Sequence, residues 1–250
     1  MVNPAFLFNL MGVVLLTIAF VLHIVCLATP YYSVANMNGF AKEVINVART
    51  DSSRLGISPQ EMEEALQSLS GMAGGSINFG MWKFCLTTNQ EQQDIHLCPL
   101  WKGETTFHKD TGMLKTLESE GWIRGVQAMA ILGTIFLVFA LSSAVVNVVI
   151  KSKGDRLRLL YLFILFFCAT AAVFIIIGDI IMSAKYSSAF DLMMLKTENP
   201  PPPQLYELFT KRFSLSWGFA LDIVSAAFVL LAGAAHFIAG RIANSSSGVI

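Results

Sequence analysis

Few residues in this chain are suited to chemistry. Cys85 and Cys98 lie on one polar stretch, with His96 between them and His108 beyond. Two pairings are open to these sulfurs. They can oxidise to each other if the stretch faces an oxidising compartment. They can instead hold zinc with a histidine, although the spacing matches no usual ligand pattern. Cys26 and Cys168 fall in apolar runs, where a lone thiol is a small packing residue. Asp179 and Asp222 are carboxylates inside apolar runs, and acids placed in lipid are costly. Such a pair reads as a polar clamp, an ion pathway or a water-exposed edge. Arg124 and Lys185 stand at the same end of those runs and are the cations expected to partner them. His23 and His236 read as hydrogen-bonded packing residues. No nucleophile elbow, phosphate loop or HExxH is present, and nothing suggests paired catalytic acids outside the apolar runs. The chain is therefore expected to be no enzyme, with no catalytic residue, cofactor or metal.

The elements that carry these residues follow from composition. The chain has 250 residues, 54% hydrophobic and 14% charged, with net charge zero. Soluble domains carry roughly a quarter charged residues, and the mean hydropathy here is +0.60. That balance points to a lipid bilayer as partner and not to nucleic acid. A span needs roughly 20 mostly apolar residues. Four stretches qualify, at 5–28, 123–150, 159–183 and 215–240. The first is too long for a signal-peptide core and lacks a basic leader. Broken helices and inverted repeats, the marks of a transporter, are missing from the pattern. On the fourth span Ala226, Gly233 and Gly240 recur every seven residues, which suits close helix packing.

Orientation follows from the connections. Residues 151–158 hold Lys151, Lys153, Arg156 and Arg158 in a very short link, as expected of a cytoplasmic loop. Lys185, Lys196, Lys211 and Arg212 are spread over a longer segment and diluted by acids. The chain is thus expected to be a multi-pass protein with both termini cytoplasmic. Segments 29–122 and 184–214 then lie outside, and 241–250 forms a short disordered cytoplasmic tail.

The first outer segment has two parts. Ile77, Phe79 and Met81 alternate with Asn78, Gly80 and Trp82, and Ile95 and Leu97 alternate likewise, the period of half-buried strands. A Cys85–Cys98 bridge would pin two antiparallel strands and contribute about 3 kcal/mol by closing a short loop. Upstream, Ser58-Pro59-Gln60-Glu61 is a helix start, followed by Met62, Ala65, Leu66 and Leu69 on one face. This 58–70 helix either packs its stripe on the sheet or meets a partner. Met62, Glu63, Glu64 and Leu66 are its partner-binding candidates. Pro200 to Pro203 impose a stiff polyproline piece on the second outer segment.

Four spans, a short basic inner loop and Gly80-Met81-Trp82-x-x-Cys85…Cys98 together resemble the claudin superfamily. That group includes claudins, peripheral myelin protein, epithelial membrane proteins and calcium-channel gamma subunits with their receptor-auxiliary relatives. Its signature is W…GLW-x-x-C…C. Tyr32 stands near the position of the first Trp, Met81 replaces Leu, and Arg124 matches an Arg often found at the mouth of span two. Gly125-Val126-Gln127-Ala128 and Ser216-Trp217-Gly218-Phe219-Ala220 resemble span starts in the same group. The departures are the insert before Gly80, a wider cysteine spacing and a second outer loop without the aromatic-Tyr-Asn-Pro turn. They mark a divergent member.

The resemblance implies a four-helix transmembrane bundle with a small extracellular antiparallel β-sheet, in the plasma membrane. It implies that Trp82 anchors the sheet at the membrane surface. It implies one of two roles: cell–cell contact or membrane organisation through the outer domain, or an auxiliary subunit of a channel or receptor in the same membrane. Partners are then other membrane proteins, through self-association or a channel.

Overall fold

A computed structural model of the chain describes residues 4–36, 43, 75–90, 93–97, 121–149, 155–185 and 211–246. The chain forms two compact units, one of Met1–Ala28, Arg124–Ile181 and Phe219–Ile250, the other of Thr29–Ile123 and Met182–Gly218.

The first unit is helical. Helices α1 (Pro4–Ala28), α2 (Gly121–Val149), α3 (Asp155–Lys185) and α4 (Trp217–Ser246) are each long and apolar enough to cross a membrane. The protein is therefore a mainly helical membrane protein with four spans. Helix α1 opens on Pro4, whose missing N–H costs nothing in a first turn. It closes before Thr29, which precedes Pro30 and is biased out of the helical region. Several boundaries differ from the sequence reading, and α3 begins at Asp155, inside the expected 151–158 loop. Leu215 is not in the fourth span but ends a strand, and the helix starts at Trp217. The same helix runs through Ser246, so its last turns occupy what was read as a disordered tail.

Each helix buries a seam spaced by threes and fours. On α1 the buried residues are Ala5, Asn9, Gly12, Leu16, Ala19, His23 and Cys26. On α2 they include Val126, Ala130, Leu137, Ala140, Ala144 and Asn147, and on α4 Asp222, Ser225, Val229, Ala232, His236 and Ala239. Residues so spaced fall on one face of a helix and form its seam toward its neighbours. Lipid tails are as apolar as Leu, so burial of apolar surface does not by itself hold such helices together. Small residues and polar contacts do. A side chain at Gly233 would meet the Cys168 Cβ at 3.2 Å, and one at Gly240 the Tyr161 ring at 3.0 Å. The stripe of small residues on α4 thus packs on α3. The middle of the bundle is dry, built from Leu16, Ala19, Leu137, Ala140, Ile164, Cys168, Ala171, Val229 and Ala232.

The second unit holds one antiparallel sheet in the order β4-β3-β2-β1-β5. Its strands are β1 (Ser33–Asn36), β2 (Ser76–Phe79), β3 (Phe84–Gln90), β4 (Gln93–Leu97) and β5 (Phe213–Leu215). Strands β2 to β4 form a meander where strands were expected. The pattern through Met81 does not persist, because β2 stops at Phe79 and Asn78 is buried along with Ile77 and Phe79. Strands β1 and β5 come from chain segments far apart in sequence, pairing Ser33 with Leu215 and Ala35 with Phe213.

Candidate functional site

Two of the residues that carry the family resemblance, Tyr32 and Gly80, lie where β1, β2 and β5 meet. Tyr32 is fully buried. Its N–H donates to Phe79 O at 2.9 Å, and its carbonyl accepts from Ser216 N–H at 2.9 Å. It therefore joins the segment that follows α1 to the one that precedes α4 through its backbone. Gly80 ends β2 with its N–H on Lys83 O at 2.8 Å. Any side chain there would run into backbone atoms of Thr29 and Pro30, with Lys83 O at 3.1 Å, so only glycine fits. Met81 is buried and Trp82 half-buried. Phe79 packs on Phe213 with ring centroids 5.4 Å apart, and Tyr31 on Trp217 at 5.4 Å.

Cys85 is buried on β3 opposite Asn78. The β3–β4 register pairs Leu86, the next residue on, with Leu97. Cys98 itself lies outside the described residues, as do Met62, Glu63, Glu64 and Leu66 with the rest of the 58–70 helix, and His108. No cluster able to hold a metal occurs among the described residues. Arg212, read from the sequence only as a diluted loop cation, is a staple of this unit. Its guanidinium bonds Asn36 O at 3.2 Å and Glu43 at 2.8 Å, while its carbonyl accepts from Asn36 N–H.

Inside the helical unit the polar residues gather in two layers, each with a contribution from all four helices. The inner layer centres on Asn9. Its amide nitrogen donates to Tyr161 Oη at 2.8 Å. Its carbonyl oxygen accepts from Asn147 Nδ2 at 3.2 Å and from His236 Nδ1 at 3.0 Å. An amide oxygen only accepts, so His236 carries its proton on Nδ1. His236 Nε2 has no hydrogen-bond partner and faces Gly12, where a Cβ would overlap the ring.

The outer layer centres on Asp222. His23 Nδ1 lies 2.5 Å from Asp222 Oδ1, and both residues are buried. His23 Nε2 lies 3.4 Å from Ala130 O, which also accepts from Thr134 Oγ1 at 2.8 Å. Asp179, on α3, is buried near Asp222. One turn on, the Cys26 thiol faces the same carboxyls. Just below, Ser225 Oγ donates to Ala19 O at 2.8 Å.

Asp222 has a partner beyond the cations the sequence reading offered. Arg124 and Lys185 are exposed. That partner is His23, hydrogen-bonded to Asp222 and offered by the sequence only as a packing residue. Asn9, Asn147 and Tyr161 were missed altogether. The available signal was the seven-residue recurrence of Asn9, Leu16 and His23, which puts both polar groups on one seam of α1. No protein-family model and no curated protein matches the chain.

Proposed function

We propose that the chain is a claudin-like, non-enzymatic tetraspan protein of the plasma membrane, acting in cell–cell contact or membrane organisation through an extracellular domain. The observation that carries this reading is the pairing of β1 with β5. The two segments between spans are not separate linkers but one sheet, locked through Tyr32, Gly80 and Arg212. A unit built that way presents a fixed surface, which is what recognition of another protein needs. The dense cations of 151–158 support placing this unit outside and both termini in the cytoplasm. Oxidation of Cys85 with Cys98 fits that compartment. The free thiols among the described residues are Cys26 and Cys168, and Cys85 is not one of them.

A second reading is an auxiliary subunit that clasps a channel or receptor in the same membrane. It is favoured by Ala220, Ala227 and Ala234, which recur every seven residues on the exposed side of α4 and would admit a partner's helix. Crosslinking and pulldown from native membrane separates the two. Self-association with localisation to cell contacts supports the first, and one stoichiometric channel partner supports the second. Charge reversal at Glu63 and Glu64 should lower recovery of the partner, more so at low salt, if the 58–70 helix steers its association. A deletion of 57–71 that reaches the surface and keeps every partner would move the assignment to the strands.

A further inference from the structure

The sheet ends on two exposed aromatic rings. Beyond Ser33 and Leu215 the β1–β5 pairing continues through Ser216 N–H on Tyr32 O, and it brings Tyr31 beside Trp217. Their ring centroids are 5.4 Å apart, with the planes 33° from parallel. Gly218 N–H donates to Tyr31 O at 3.0 Å, and a Cβ at Gly218 would meet that oxygen at 2.6 Å, so close backbone contact fixes the two rings together. Yet Tyr31 is 40% exposed and Trp217 46%, with Leu215, two residues before Trp217, at 37%. No described residue bonds the Tyr31 hydroxyl or the Trp217 indole N–H.

Chain connectivity sets the depth of this pair. Trp217 is the first residue of α4, and Tyr31 stands three residues past the end of α1. At about 1.5 Å per residue, the 25 residues of α1 extend about 37 Å and the 30 of α4 about 45 Å. The hydrocarbon of a bilayer is about 30 Å thick, and about 40–45 Å with its headgroup layers. Both helix ends therefore reach beyond the hydrocarbon, into the layer where Trp and Tyr concentrate because an apolar ring meets lipid while its polar edge stays wet. A patch like this can also be covered by a protein. Its place at the ends of two spans favours lipid, since the bilayer already covers those spans.

We propose that Tyr31, Leu215 and Trp217 form a contact with the headgroup and ester layer of the bilayer and hold the β1–β5 end of the sheet at that depth. The rings and Leu215 supply the apolar face. The hydroxyl and the indole N–H donate to lipid ester or phosphate oxygens. This contact is separate from the anchoring that the family resemblance assigns to Trp82. It depends on the spans alone, not on which side of the membrane the sheet faces or on what the sheet recognises.

The test uses the full chain in phosphatidylcholine nanodiscs whose acyl chains carry bromine either near the headgroup or near the chain end. Tryptophan emission of the wild type minus that of Trp217→Phe isolates Trp217. This difference should be quenched most by the shallow bromines, less by the deep ones and little by iodide in the aqueous phase. Quenching by iodide alone places the rings in water. Shielding from all three quenchers places them under protein. Strongest quenching by the deep bromines places them within the hydrocarbon. Each of these overturns the proposal. Should Trp217→Phe fail to fold, Tyr31→Cys carrying a nitroxide reads the same depth by power saturation. Comparable access to oxygen from the lipid and to a nickel complex from the water is expected, and access to only one of them overturns the contact.

Discussion

Asn9 makes more polar contacts than any other side chain in the inner layer, so its truncation gives a graded test of how that layer holds the bundle. It exchanges three hydrogen bonds with Tyr161, Asn147 and His236, on three different helices. Side-chain hydrogen bonds between membrane helices contribute about 0.6 kcal/mol each on average. Asn9→Ala should then lower stability by about 2 kcal/mol, the sum of three such bonds. Tyr161→Phe removes one of them and should lower it by about 0.6 kcal/mol. Asn147→Ala also removes one, together with side-chain packing. The assay is reversible unfolding in mixed micelles or bilayers, read by tryptophan fluorescence over a denaturant series. The decisive quantity is the ratio of Asn9→Ala to Tyr161→Phe, near three if the hub acts as drawn. A ratio near one, or an Asn9→Ala loss below about 0.5 kcal/mol, would refute a layer organised on Asn9.

Gly12→Ala drives a Cβ into the His236 ring and should cost about 1–3 kcal/mol by overpacking, a loss that His236→Ala in the same chain relieves. Gly80→Ala meets backbone that cannot give way and should abolish surface delivery, whereas Gly125→Ala, with open space around it, should be neutral or slightly stabilising. Cys85→Ser and Cys98→Ser should lower surface expression equally, with the double variant no worse than either. Intact mass showing either thiol free in the surface protein removes the basis for that equality. Asn244-Ser245-Ser246 is a glycosylation sequon near the end of α4, and with the C-terminus in the cytoplasm it should stay unmodified. A mobility shift on glycosidase treatment of the wild type would invert the topology.

The spans were legible because a bilayer imposes length and apolarity together, and few residue patterns satisfy both. Strand β5 was not, because Phe213-Ser214-Leu215 reads as the apolar start of a span when taken alone. Its strand character comes from β1, whose Ala35 and Ser33 lie more than 170 positions away. Strands of three and four residues also give a period-two pattern too little length to register. The His23 partner of Asp222 was hidden for a related reason. Charge at a span end draws attention to Arg124 and Lys185, not to a histidine on another span. His23 is 199 residues from Asp222, and only the seam spacing of α1 could have brought it forward. Gly80 was legible through its motif, but its reason was not. The approach of Thr29 and Pro30 is a tertiary fact.

The two polar layers also bear on what this bundle does. Asn9 and His23 are fourteen residues apart on α1, about 21 Å along the axis. His236 and Asp222 are separated by the same number on α4. Between the layers the described core is aliphatic and fully buried, with Leu16, Leu137, Ile164 and Val229 at its centre. An ion moving along the axis of one copy would shed its water over most of that distance with little polar surface to replace it, so an intramembrane pathway through a single bundle is the weakest use of these residues. Their better use is specification. Apolar seams of similar spacing on four helices would allow several arrangements of nearly equal energy, since lipid and core are chemically alike. A layer that closes only when Asn9, Asn147, Tyr161 and His236 meet admits one register at its depth. A second layer of different chemistry, carrying carboxyls and an imidazole where the first is centred on amides, prevents the two ends of the bundle from being exchanged. Buried polar groups have this registry role in coiled coils, and here two unlike layers fix the order and depth of all four helices.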